Sequence, residues 1–70
     1  MSIPVAKMAE TICRRWMRTV GKVHGAVEAN FENVREFSDG IFDELDTLQL
    51  DLVADKACAL ISDQQAKGDA

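Results

Sequence analysis

Apolar residues recur at helical spacing through the whole first half of this chain, and that pattern limits the fold more than any other feature. Between Ala9 and Val34 the apolar steps run 3-4-4-3-4-4-3, through Ile12, Trp16, Val20, Val23, Val27 and Phe31. Val5 and Met8 extend the row backwards and Phe37 extends it forwards. Steps of three and four place side chains on one helical face, whereas a strand would need a period of two. The repeat of eleven (Ala9, Val20, Phe31) favours a nearly straight stripe over a heptad supercoil. An all-α fold is therefore expected. Four glycines, one proline and no tyrosine in 70 residues agree with it, because a β domain of this size needs closely spaced turn signals.

The residues suggest where the helices begin and end. Pro4 suits a first helical turn, where its missing N–H costs nothing. Gly21 and Gly25 each weaken a helix by about 1 kcal/mol relative to alanine. The apolar phase nevertheless runs through them, so the leading reading is one long amphipathic helix over 4–37. Two turn sites follow. At the first, Ser38 caps a new helix, with Phe37 and Phe42 as a hydrophobic staple. At the second, Asp46 caps it, with Gln49 at the capping-box position and Leu45 and Leu50 as the staple. Beyond the turn, Leu50, Val53, Ala57, Leu60 and Ile61 define the buried face of a C-terminal helix ending near Asp63. The expected architecture is a helical hairpin: one domain over residues 1–64 and a flexible polar tail over 65–70. The alternative is a three-helix bundle broken at Gly21–Gly25.

A helix over 4–37 would be about 50 Å long. The C-terminal helix is much shorter and would not reach its beginning. Val5, Met8, Ile12, Trp16, Val20 and Val23 would then form an uncovered apolar face, the mark of an interaction surface. This predicts a homo-oligomer, with a dimer favoured, that completes the bundle.

Charge is segregated along the chain. Residues 1–25 carry five cations against one anion, and residues 26–55 carry one cation against nine anions, within a net charge of −4. Lys7, Arg14, Arg18 and Lys22 lie opposite the apolar stripe, with Arg15 beside them; Glu28, Glu32, Glu36 and Asp43 continue that side as an acidic ladder. Like charges one turn apart repel by a few tenths of a kcal/mol. An antiparallel second copy with its two-fold at Gly25 would relieve this by pairing Lys7 with Asp43, Arg14 with Glu36, Arg18 with Glu32 and Lys22 with Glu28. That register assumes a helix continuous past Ser38.

The function expected is a non-enzymatic protein–protein interaction module: an adaptor, regulator or inhibitor acting as a homo-oligomer. Arg14, Arg15, Arg18 and Lys22 also fit phosphate contacts, with Trp16 available to stack on bases. The acidic net charge argues against nucleic acid as the main partner. The acidic ladder fits a mimic of nucleic acid that occupies a basic partner. Cys13, His24 and Cys58 lack zinc-site spacing, so no metal or cofactor is expected, and the two cysteines read as reduced thiols. The N-terminus lacks the uninterrupted apolar core of a secretory signal, and no apolar run is long enough to span a bilayer. The expected location is cytoplasmic.

Overall fold

A computed structural model of the chain describes residues 4–20 and 27–68. It holds three helices: α1 (Val5–Thr19), α2 (Phe31–Ile41) and α3 (Thr47–Gly68). Among the described residues there is no strand, and no helix is long and apolar enough to cross a membrane.

The long helix expected over 4–37 is two helices. Pro4 stands at the N-cap of α1, and its carbonyl accepts from Lys7 and Met8 N–H, both at 3.1 Å. α1 ends at Thr19, whose Oγ1 donates back to the Arg15 carbonyl at 2.7 Å. The Val20 N–H closes the last turn on the Trp16 carbonyl. Gly21 to Ala26, the site of the expected alternative break, lie outside the described residues. α2 has a start of its own. The Asn30 side chain accepts from Asn33 N–H at 2.9 Å, and the Asn33 amide donates to the Glu28 carbonyl at 2.9 Å. A capped entry satisfies donors that a helix beginning here would leave bare. Val27 and Phe31 break the expected stripe accordingly, at 54% and 41% exposure.

The turn before α3 is at Asp46, the second of the two sites read from sequence. Its carboxylate accepts from Gln49 N–H at 2.8 Å and its carbonyl from Leu50 N–H at 2.9 Å. Ser38 is no cap. It lies inside α2, buried, with its hydroxyl donating to the Val34 carbonyl at 2.7 Å. That bond satisfies the hydroxyl within the helix, so α2 runs on to Ile41. α3 in turn continues past Asp63 to Gly68.

α3 is the central element and packs against both α1 and α2. The core comprises Met8, Ala9, Ile12, Cys13 and Trp16 of α1, Val34 of α2, and Val53, Ala54, Ala57 and Ile61 of α3. Ala9, Ala54 and Ala57 are fully buried, and small side chains at a contact let helix axes approach closely. Arg35 of α2 forms an ion pair with Asp51 of α3, and Cys58 Sγ donates to the Ala29 carbonyl at 3.2 Å. These contacts fix α2 antiparallel to α3, because Arg35 meets the earlier part of α3 and Ala29 the later part.

The geometry removes the length mismatch on which the uncovered face depended. Met8, Ile12 and Trp16 are 4%, 0% and 1% exposed within a single copy. Val5 and Val20 are half-buried against the same core. Val23 lies outside the described residues. With α1 ending at Thr19, the 22-residue α3 is the longer helix and covers it.

Candidate interaction surfaces

Closing the core on one side of each helix leaves three outward rows. On α1, Met8, Ala9, Ile12, Cys13 and Trp16 face inward, so the 100° step per residue puts Lys7, Arg14 and Arg18 directly outward with Arg15 beside them. All four are exposed. Lys22, the remaining member of the expected cluster, lies outside the described residues. Trp16 is not available to this row, since its indole is buried against Phe37.

On α2, burial of Val34 and Ser38 turns Glu32, Glu36 and Asp39 outward, and all three are exposed. Glu32 also stands in the first turn, where the helix dipole favours an anion. The other two members of the expected ladder flank the helix. Glu28 precedes it and accepts from the Asn30 amide at 3.5 Å; Asp43 follows it in the turn. Neither the α1 cations nor these α2 acids form an ion pair with another described residue.

The third row was missed in the sequence. Leu48 and Leu52, one turn apart on α3, are 71% and 51% exposed. Ala59, in line with them, is exposed as well. The opposite face holds the buried Leu50, Val53, Ala54, Ala57 and Ile61. Asp55 and Ser62 share the outward side with Leu48 and Leu52 and are exposed, so the leucines form an apolar patch about one turn long on an otherwise polar face. The signal was in the sequence: Leu48 and Leu52 sit out of phase with Leu50, Val53 and Ala57.

Two grooves lie between helices. One, of about 420 Å³, is lined by Glu10, Cys13, Arg14, Met17, Leu60 and Gln64. Burial pushes the Cys13 thiol up from its ordinary value, and the nearby Arg14 charge opposes this only in part. Only the thiolate is a nucleophile, and this shift lowers its share. The other, of about 330 Å³, is lined by Trp16, Val20, Val27, Asn33, Glu36 and Phe37. Among the described residues no three His, Cys, Asp or Glu side chains cluster as metal ligands would, and both cysteines are free thiols. No family model matches the chain, and no curated protein or solved structure matches it at a significant level.

Proposed function

We propose that the chain is a non-enzymatic helical interaction module, an adaptor, regulator or inhibitor, that takes a partner protein on the outward face of α3. One observation carries this reading: Leu48 and Leu52, 71% and 51% exposed, stand one turn apart on the helix that already packs against both others. A single exposed leucine is ordinary. Two in register, with Ala59 further along, form a ridge that the apolar face of a partner helix can cover at i, i+4 spacing. Asp46 precedes this row and Asp55 stands within it, between Leu52 and Ala59, both exposed, so the partner face is apolar opposite the two leucines with a cation opposite Asp55.

The reading is tested by affinity capture from extracts of the source cells, comparing the wild-type chain with Leu48→Asp/Leu52→Asp. Both substitutions lie on exposed positions, so the far-ultraviolet circular dichroism should be unchanged. A protein retained by the wild type and absent from the variant supports the assignment. Identical recoveries from both would end it.

The nucleic-acid reading now rests on the exposed cations Arg14, Arg15 and Arg18, with Lys22 outside the described residues, because Trp16 at 1% exposure offers no stacking surface. The acidic mimic is weakened too: only Glu32, Glu36 and Asp39 share a helical row, with Glu28 and Asp43 outside α2.

A further inference from the structure

We infer that the cationic row of α1 docks antiparallel on the acidic row of α2 in a second copy of this chain. The argument starts from spacing. Read from Arg18 backwards, Arg14, Thr11 and Lys7 follow at steps of 4, 3 and 4. Read from Glu32 forwards along α2, Glu36 and Asp39 follow at the same first two steps, and Asp43 lies past the end of the helix in the turn. Laid antiparallel, Arg18 meets Glu32 of the second copy and Arg14 meets its Glu36. Two opposite-charge pairs come into register together, and the Thr11 hydroxyl between the cations is already turned back onto the Lys7 carbonyl at 3.1 Å.

Burial and bonding within one copy leave both rows free for this. Lys7, Arg14, Arg18, Glu32, Glu36, Asp39 and Asp43 are all exposed. None forms an ion pair with another described residue. Each row sets like charges one turn apart, an arrangement that repels along its own helix and is relieved by the opposite row. The rows also belong to separate helices, each turned away from the shared core. One copy therefore presents a donor row and an acceptor row at once, and the register no longer needs the continuous helix or the two-fold at Gly25. Exposed pairs add little affinity individually. The association is accordingly weak and salt-sensitive, with the charges fixing its register. It is independent of any partner on Leu48 and Leu52, which lie on α3.

Sedimentation equilibrium of the full chain across salt concentration tests the proposal. The wild type should associate at about 0.01 M salt and dissociate toward about 0.5 M as screening shortens the range of the charges. Arg14→Glu/Arg18→Glu and Glu32→Arg/Glu36→Arg should each be monomeric at low salt. Mixed one to one, they should associate again, because each variant restores what the other lost. If reversal disturbs the fold by circular dichroism, the neutral pairs Arg14→Gln/Arg18→Gln and Glu32→Gln/Glu36→Gln should also abolish association. A wild type monomeric at every salt, variants that associate like the wild type, or a mixture that stays monomeric would overturn the proposal. So would tight binding of a short DNA duplex that depends on Arg14 and Arg18, which would assign the cationic row to phosphate. The Leu48→Asp/Leu52→Asp variant should associate as the wild type does, so loss of the α3 reading and loss of this one are separate results.

Discussion

The indole of Trp16 stands edge-on to the ring of Phe37, with ring centroids 5.2 Å apart and planes at 82°. This is the favoured edge-to-face arrangement of aromatic pairs, and it ties α1 to α2. Trp16 is also the largest fully buried side chain. Truncating such a residue costs about 3–5 kcal/mol, against a total stability on the order of 4–10 kcal/mol for a chain of this size. Trp16→Ala is therefore expected to unfold the protein or bring it close to unfolding. Phe37→Leu keeps most of the apolar area and loses the ring pairing, worth about 0.5–1.5 kcal/mol. Urea titration followed by far-ultraviolet circular dichroism measures both. An unchanged midpoint for Trp16→Ala would place that side chain on the surface, where the sequence pattern alone had put it.

The two turn sites make opposite predictions. Asp46 accepts from Gln49 N–H at the head of α3, and Asn30 does the same for Asn33 at the head of α2. Removing either cap, as Asp46→Ala or Asn30→Ala, should lower stability by about 1 kcal/mol. Ser38 caps nothing and bonds its own helix at the Val34 carbonyl. Ser38→Ala removes the hydroxyl and keeps the backbone at this position, where the Ser38 carbonyl accepts from Phe42 N–H at 2.8 Å. Its effect should stay within about 0.5 kcal/mol. A larger loss for Ser38→Ala than for Asp46→Ala would move the turn to FSDGIF.

These elements show how far the residues alone could be read. The helical class, the Asp46 turn and the inward face of α3 follow from periodicity and capping chemistry, which are local. The break in the first half is not a matter of phase, because a row of apolar residues can stay in register across a segment that leaves the helix. It follows from Asn30, whose cap competes with continuation, and the capping-box position three residues on holds Asn33 in place of the Glu or Gln that marks such a box. The candidate surfaces suffered more. Once α1 ends at Thr19, Met8, Ile12 and Trp16 turn from an uncovered face into the core. Leu48 and Leu52, hidden among apolar neighbours in the sequence, become the exposed pair. Which side of an apolar helix faces water depends on what packs there, and that is a tertiary property.

Gly40 offers a stabilising change. It lies within α2, and a β-carbon built on it would meet nothing within 4 Å. Glycine loses more backbone freedom on folding than alanine, a difference of roughly 0.5–1 kcal/mol in a helix. Gly40→Ala should therefore raise stability by about that amount and shift the thermal midpoint upward by a few degrees. A lowered midpoint would show that α2 does not extend to this position in solution.

The Cys13 thiol gives the fold a pH dependence with a definite sign. Burial raises its pKa and Arg14 pulls it back in part. The folded form then holds the proton more tightly than the unfolded form, whose thiol titrates near 8.5. Stability from this group is complete below that value and is lost as pH rises through the higher folded value. Denaturation midpoints should accordingly fall on the alkaline side, and Cys13→Ala should flatten that limb. Replacing Arg14 by glutamine removes the opposing charge, so the limb should begin at the same pH and extend further, with a larger total loss. Alkylation separates the two thiols: Cys58 is half-buried and Cys13 buried, so iodoacetamide should modify Cys58 first and reach Cys13 mainly through opening of the α1–α3 contact. Equal rates for the two thiols in the folded protein would show that Cys13 is not packed between α1 and α3.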